Sequence, residues 1–315
     1  MSALPEVARW STASDPHRTR RQELAQAWLA FRTAAKLGFQ IEANWADPLP
    51  FLIYAVIKPV FGALMLVFML EIISGGAADQ SFRAFIVIGS ALWSFVVGGI
   101  AGFALSVLED RERYRMLKYL YVSPNAILTV LLGRGFWRLG IGGFGAAVTL
   151  ILGVVALGVP FDVARIDWLL LALGMALGLL SIISLGMLLA AVAMQTRQDS
   201  WQYPEAVAGA IFLVVGAVFP LAVLPGVVQV VGLITPLTWW LEMVRRALFP
   251  DIISAIGGPG SLYTELTGRA APGSAEGIIV LLGTTALVTL ASLWVFRWSE
   301  LRAKEKGLFD LITGS

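Results

Sequence analysis

Charged residues are scarce in this sequence, at 14% of its 315 residues, against roughly 25% in soluble domains. Hydrophobic residues make up 58%, and the mean hydropathy is +0.80. A soluble fold of this length could not remove so much apolar surface from water. The composition therefore predicts an integral membrane protein. The 32 glycines agree with it, because glycine is more frequent in membrane helices than in soluble ones.

Cysteine is absent, and histidine occurs once, as His17. The lack of cysteine excludes disulfides, thiolate chemistry and cysteine-ligated metal sites. A lone histidine in a polar stretch has no companion ligands, so no metal site is predicted. The N-terminal region lacks a compact apolar run followed by small residues, so no cleavable signal peptide is predicted either.

Long apolar stretches recur along the chain, and a helix needs about 20 such residues to cross the bilayer core. They predict an all-α integral membrane protein of six transmembrane helices, at about 51–72, 83–108, 127–159, 168–195, 205–219 and 276–297. Within the apolar cores of these crossings, the only charge is Lys58. The fifth stretch continues uncharged as far as Leu241, but prolines interrupt it. Because proline disrupts a helix interior, the segment 220–249 is predicted to be re-entrant; two full crossings are the alternative.

The distribution of basic residues predicts the orientation of these helices. With a cytoplasmic N terminus, the segments on the cytoplasmic side carry 17 lysines and arginines, and the outer segments carry 5. Both termini are therefore predicted to be cytoplasmic, in a multi-pass protein of a prokaryotic-type inner membrane.

An amphipathic helix is predicted over 20–46, ahead of the first crossing. Its aromatic residues Trp28, Phe31 and Phe39 recur at helical spacing, and basic residues lie among them. Such a helix is suited to the membrane interface, and packing on a partner or on the protein's own loops is the alternative. The chain then divides into a polar tail at 1–19, this helix, a membrane domain at 47–300 and a cytoplasmic tail at 301–315.

The loop between the second and third crossings combines charges with aromatic residues. Acidic residues precede basic ones, as the helix dipole favours, and a serine-proline pair ends the pattern. The pattern predicts one short amphipathic helix over 110–124; a loop that collects basic residues only because it is cytoplasmic is the alternative. Its candidate contact residues are Arg111, Tyr114, Arg115, Leu117, Lys118, Tyr121 and Ser123.

The segment after the fifth crossing combines prolines with tryptophans. Glu242 precedes Arg245 and Arg246 by three and four residues, close enough for an ion pair on a helix. An ordinary aromatic belt with snorkelling arginines is the alternative. The candidate residues of this segment are Pro220, Pro225, Pro236, Trp239, Trp240, Glu242 and Arg245.

Over about residues 30–300, these features resemble the ABC-2 type permease family. Leu120-Tyr121-Val122-Ser123-Pro124, followed by Leu131-Leu132-Gly133-Arg134, is similar to the family's coupling helix and third span. Pro220-Leu221 through Leu224-Pro225, followed by Thr235-Pro236-Leu237-Thr238, resembles its broken helix after span five. Arg245 or Arg246 falls where that pattern often has an arginine. The family often has a glycine-threonine pair in the coupling segment, where this chain reads Arg115-Met116-Leu117.

The resemblance implies that residues 110–124 dock on a separate ABC ATPase subunit, and that the re-entrant segment gates the outer mouth. ATP and magnesium would bind to that partner, because this chain has no G-x-x-x-x-G-K-[ST] motif. The chain itself is therefore predicted to be neither an enzyme nor a cofactor-binding protein. The other expected partners are a second permease copy, in a homodimer rather than a heterodimer, and membrane lipids, but not nucleic acid.

The predicted function is the permease subunit of an ATP-driven exporter that works by alternating access. An uncharged interior suits an amphipathic or hydrophobic drug or lipid, and a lipid-linked polysaccharide is the alternative cargo. Ion-coupled secondary transport is less favoured, because such carriers need ionisable groups inside the membrane. No carboxylate pair or histidine cluster indicates a membrane-embedded enzyme. A non-transporting scaffold is the remaining alternative.

Overall fold

The computed structural model describes residues 20–44, 53–76, 79–122, 127–159, 161–196 and 202–306. Within these ranges the chain is helical and has no β-strand. A π-helical turn, Ile53–Ile57, precedes α2. The helices are α1 (Arg20–Asn44), α2 (Lys58–Ile73), α3 (Gln80–Leu108), α4 (Leu117–Val122), α5 (Ile127–Leu157), α6 (Trp168–Gln195), α7 (Tyr203–Val214), α8 (Gly226–Ile234), α9 (Pro236–Leu248), α10 (Leu262–Thr267) and α11 (Ser274–Glu305).

Helix α3 lies at the centre of the described helices. It packs along α5 and α6, and it also meets α2, α7 and α9. Phe85, Val87 and Ile88 lie at widely different angles around its axis, and they are 0%, 1% and 0% exposed. A helix that is apolar on all sides is expected at such a central position.

Four described helices, α3, α5, α6 and α11, are long and apolar enough to cross a bilayer, and the bent pair α8–α9 would make a fifth. Helix α2 has 16 residues and α7 has 12, which correspond to about 24 and 18 Å against a core of about 30 Å. The predicted all-α membrane class is confirmed. The count of six crossings stays a prediction.

The chain is broken after α7, where the prolines predict it. Helix α7 ends at Val214, a single 3-10 turn covers Leu221–Val223, and α8 and α9 meet at an angle of 77°. Pro220 and Pro225 directly precede the 3-10 turn and α8, respectively. Pro236 is the first residue of α9, where a missing backbone N–H costs no intrahelical bond.

Helix α9 runs antiparallel to the first half of α6. Trp240 packs against Gly178, where a Cβ would lie 2.0 Å from the indole ring. At the end of α9, the carbonyl of Ala247 accepts a hydrogen bond of 3.0 Å from the amide of Asp167. Trp239 and Trp240 are only 5% and 0% exposed, so these residues do not form a lipid-facing aromatic belt.

Hydroxyl pairs join α6 to α11. The hydroxyl oxygens of Ser181 and Thr285 are 2.6 Å apart, and those of Ser184 and Thr289 are 2.8 Å apart. Small hydroxyl residues are frequent between membrane helices, because they permit close backbone approach and satisfy each other's hydrogen bonds. These contacts fix the register of α11 along α6.

Helix α1 packs along α5. The ring of Phe39 meets that of Trp137 at 4.5 Å, and Phe31 meets Phe136 at 5.8 Å. Trp28, on the other hand, is 64% exposed and Phe39 retains 44% exposure. Part of the aromatic surface of this predicted interfacial helix therefore packs on the protein's own α5. The other part stays exposed.

We expect Gly178→Ala to destabilise the protein, because the new methyl group would overlap the indole of Trp240. Overpacking of this kind costs about 1–3 kcal/mol. Thermal unfolding in detergent measures the effect. The matched control is Gly283→Ala in α11, where a Cβ meets no atom within 4 Å. Equal melting temperatures for the two variants would contradict the packing of α9 on α6.

Candidate coupling site and transport cavity

Six charged side chains gather where α1 and α3 end and α5 begins, and they define the basal end of the bundle. The π-helical turn Glu109–Arg113 continues α3 and supplies three of them. Helix α5 supplies two and α1 supplies one. This basal charge cluster consists of Glu42, Glu109, Asp110, Arg111, Arg134 and Arg138.

Asp110 and Arg134 form a buried two-pronged ion pair. The Nη2 and Nε atoms of Arg134 donate to the two carboxylate oxygens of Asp110 at 2.7 and 3.3 Å. The side chains are 0% and 3% exposed. Burying two charges is costly unless the geometry also satisfies their hydrogen bonds, and the parallel pair of bonds meets that requirement.

Arg138, one turn further along α5, joins three elements. Its Nε donates to Glu42 of α1 at 2.8 Å, and its Nη2 donates to Glu109 at 2.6 Å. Arg111 adds a fourth element, because its Nη1 donates to the carbonyls of Ala193 and Thr196 at 3.1 and 2.8 Å. Those carbonyls lie at the C-terminal end of α6, where helix carbonyls lack intrahelical partners and the dipole favours a cation.

The chain changes course between the π-helical turn and α4. The sequence pattern predicts one helix over 110–124, but the described residues form two pieces separated at Arg115, whose φ is +52°. The amides of Tyr114 and Met116 donate to the carbonyls of Glu109 and Asp110 instead of continuing the α-helical pattern. The buried Asp110 and Arg111 side chains both lie in this widened turn, and π turns of this kind often mark functional sites.

The candidate coupling residues are placed unevenly. Arg111 and Leu117 are enclosed, Tyr114 is half-buried with Arg134 near its ring, and Arg115 is exposed. Tyr119, which sequence reasoning missed, is 67% exposed on α4. Ser123 and the side chains of Lys118 and Tyr121 lie outside the described part of the chain.

Arg134 and Arg138 are further charged residues of this candidate site, and sequence reasoning did not include them among the coupling residues. They lie within α5, which is 31 residues or about 46 Å long. That length exceeds a core of about 30 Å, so the basal third of α5 need not lie in lipid. The sequence does contain one indication of their shared role: they are four residues apart, which places both arginines on one face of a helix.

A cavity of about 780 Å³ lies between α2, α3, α5 and α7. At its basal end the lining is ionisable: Glu42, Lys58, Glu109, Arg138 and Glu205. Lys58 and Glu205 have no ion-pair partner among the residues that the structure describes. The opposite end of the bundle from the basal charge cluster is its distal end. Towards the distal end the cavity lining becomes apolar and aromatic: Leu66, Trp93, Val97, Ile141 and Phe212.

This lining corrects one expectation from the sequence. The prediction of an uncharged interior is wrong at the basal end, because charged residues at the basal ends of α3 and α5 line the cavity there. The cavity is therefore amphipathic. In the described residues, no group of acidic or histidine side chains could hold a metal ion.

The candidate gate residues lie at the distal end of the bundle. Arg245 of α9 is fully enclosed, and its Nη1 and Nη2 donate to the carbonyls of Gly216 and Ala217 at 2.8 and 2.5 Å. Its guanidinium also lies 3.7 Å above the ring of Phe85. Gly216 and Ala217 follow the broken end of α7, so a cation here meets carbonyls that the break releases.

Glu242 makes different contacts. Its Oε2 accepts a hydrogen bond of 2.7 Å from the amide of Ala255, and its Oε1 lies 3.6 Å from Arg246. Of the two pairings that the sequence allowed, the structure contains the one with Arg246. Nearby, Tyr263 donates to Glu276 at 2.8 Å. Burial and this hydrogen bond raise the pKa of the Tyr263 phenol.

The helices and their apolar lengths define a multi-pass α-helical membrane protein. A model of the family described as ABC-2 family transporter protein matches residues 51–294. The chain belongs to this family, whose members generally work with an ABC ATPase subunit. No curated protein matches the sequence significantly.

The Asp110–Arg134 pair yields a quantitative prediction. Asp110→Asn or Arg134→Met alone leaves a buried partner unpaired and should cost about 3–5 kcal/mol of unfolding free energy. The double variant should lose clearly less than the sum. The measurement is a double-mutant cycle of unfolding in mixed micelles.

The exposed pair Arg269–Glu276, whose side chains are 67% and 29% exposed, is the control for this cycle. Its coupling should stay below about 1 kcal/mol. Additive losses for Asp110 and Arg134 would show that the two side chains do not depend on each other.

Proposed function

We propose that this chain is the permease subunit of an ATP-driven ABC exporter, which moves an amphipathic drug or lipid away from the cytoplasm. The cavity is the observation that carries the proposal. It offers charges of both signs at its basal end and apolar walls beyond them, which suits a molecule with a polar head and an apolar body. Membership of the ABC-2 family supports a transport role.

The proposed topology has six crossings, formed by α2, α3, α5, α6, α7 and α11, with a re-entrant pair α8–α9 after the fifth. Two observations support the re-entrant pair. Helix α7 starts at the basal end, and the segment that follows it lies at the distal end. The end of α9 also lies at the distal end, so the chain enters and leaves the pair α8–α9 on the same side. The excess of basic residues in the basal segments supports a cytoplasmic basal end in an inner membrane, with both termini on that side.

The coupling surface is proposed to be the turn 109–116 together with α4. A force on this surface reaches α5 and α6 directly and α1 through Arg138, because the basal charge cluster bonds the turn to α5 and α6 and bonds Arg138 to Glu42 of α1. ATP and magnesium would bind to the separate ATPase subunit, and this chain would bind neither.

A second copy of the chain is proposed to complete the transport path as a homodimer. Along α2, beside the cavity, apolar side chains remain uncovered: Phe61, Met65 and Ile72 are 64%, 72% and 80% exposed. Lipid or a second protomer can cover such a surface. A lipid-linked polysaccharide remains the alternative cargo, supported by the aromatic rings of Trp93 and Phe212 in the cavity wall.

Replacement of Tyr119 with Asp, together with Arg115→Glu, should release the ATPase subunit. Both residues are exposed next to the turn, and losing an aromatic anchor weakens an interface at least about tenfold. The tagged chain is purified from its native membrane, and the bound ATPase is quantified. Leu117 stays intact because it is enclosed.

The control is Leu266→Asp, which changes a 74% exposed residue at the distal end and should retain the ATPase. Full retention of the ATPase by the Tyr119 variant would contradict the proposed coupling surface. If the wild-type chain brings down no ATPase and transports alone, the ABC assignment of function fails.

Filling the cavity should stop transport. A Cβ at Gly62 meets no atom within 4 Å, and Gly62 lines the cavity, so Gly62→Leu adds a side chain to the path without a clash. In proteoliposomes with the ATPase, export of a fluorescent hydrophobic dye or a labelled phospholipid should fall strongly, because the leucine side chain occupies space that the cargo needs.

Gly283→Leu is the control, since Gly283 has equally open surroundings but lies on α11, away from the cavity. Equal transport by both variants would rule out the cavity as the path. If neither probe moves in the wild type but a lipid-linked glycan stimulates ATP hydrolysis, the alternative cargo is correct.

A further inference from the structure

Within the described residues, no carboxylate is in ion-pair contact with the positive charge of Arg245, and Glu242 acts on that charge only over a longer distance. Glu242, the acid on its own helix, faces the amide of Ala255 and Arg246 instead. The carbonyls of Gly216 and Ala217, the ring of Phe85 and, at 3.4 Å, the carbonyl of Phe85 surround the guanidinium. Its Nε is enclosed without an acceptor. An apolar residue of similar length would be a less costly occupant for stability alone, so the site indicates a function.

The arginine joins two helices that have no covalent connection at this end. Phe85 belongs to α3, whereas Gly216 and Ala217 continue from α7. Gly89 shows how closely they approach: a Cβ there would lie 1.8 Å from the carbonyl oxygen of Ala217 and 2.2 Å from Nη2 of Arg245. Only a glycine on α3 leaves room for this contact.

The same two helices carry the aromatic pair at the distal end of the cavity. Trp93 follows Gly89 by four residues, and Phe212 precedes Gly216 by four, so each ring is about 6 Å along its helix from the arginine contact. The centroids of the two rings are 4.8 Å apart. On α7, Phe212 is the most distal residue of the cavity wall.

We infer that Arg245 is a positioning residue that holds Trp93 against Phe212 and so keeps the distal end of the cavity closed. A planar guanidinium bonded to two successive carbonyls fixes both the distance and the orientation of α7 relative to α3. Separation of the two rings requires α7 to move, and that movement breaks both bonds. The inference rests on the proposed role of the cavity as the transport path.

The absence of cysteine makes the test direct, because any introduced thiol is unique. Val97 lines the cavity on α3, one turn nearer the basal end than Trp93. We expect Val97→Cys to react slowly with a small, charged, membrane-impermeant thiol reagent added to spheroplasts. Adding Arg245→Met should raise the rate at least about tenfold, the change expected on losing a hydrogen bond to a charged group. Arg245→Lys should give an intermediate rate.

The closure can also be opened without touching the arginine. Trp93→Ala and Phe212→Ala should raise the labelling rate of Val97→Cys as Arg245→Met does. Combining Phe212→Ala with Arg245→Met should add little, because both changes open one closure. A general loosening of the fold would instead add the two effects. Arg269→Met, which alters an exposed arginine of the distal loop, should leave the rate unchanged.

An unchanged labelling rate in Arg245→Met would overturn the inference, and so would additive rates in the combined variant. If Arg245→Met does not fold, as judged by its elution profile, Gly89→Ala perturbs the same contact from α3, and an unchanged rate there overturns the inference. If neither variant folds, Phe212→Ala is the deciding variant, and an unchanged labelling rate in it overturns the inference.

The labelling needs neither substrate nor ATPase, so its outcome is independent of the transport assay. Leu266→Cys reports the side of the membrane and should react quickly from outside. If it does not, the proposed orientation is wrong, and inverted vesicles provide the same test of the closure.

Discussion

Two arginines one turn apart on α5 hold the basal end of this protein together. Arg134 neutralises Asp110, and Arg138 bridges Glu109 to Glu42. With Arg111 they attach the turn after α3 to α1, α5 and α6. In a membrane protein the hydrophobic effect does not press helices against each other, so specific polar bonds of this kind decide which elements move together. The proposed coupling surface lies on the turn to which Arg134, Arg138 and the α6 carbonyls are all bonded.

The two ends of the bundle use charge in different ways. At the basal end, carboxylates and guanidinium groups form ion pairs with one another. At the distal end, Arg245 relies on backbone carbonyls that a helix break makes available. This carbonyl clamp contains no ion pair within the described residues, so hydrogen bonds to carbonyls and the ring of Phe85 hold it in place. A rigid base and a releasable distal contact suit a protein whose proposed cycle starts at the base and ends with opening of the other end.

Much of this architecture follows from the sequence, for reasons that individual residues illustrate. Long uncharged runs dictate membrane helices, and Pro220, Pro225 and Pro236 each coincide with a break or a helix start. The sequence did not indicate that Trp239 and Trp240 are enclosed, because tryptophan is equally suited to an interface and to a helix contact. It also did not select Arg134 and Arg138 as site residues, since their burial depends on acids that lie on α1 and after α3. Side-chain partners from distant segments are tertiary information, and periodicity does not contain it.

The pairing between α3 and α5 has a consequence for how the protein is made. The acids Glu109 and Asp110 leave the ribosome before Arg134 and Arg138, and the segment 111–133, which includes α4, separates the two groups. Either helix alone would bring unpaired charges close to the lipid, at a cost that the other removes. The hairpin formed by α3 and α5 therefore brings these two acids and two arginines together, and it is a natural unit in which this part of the chain enters the bilayer.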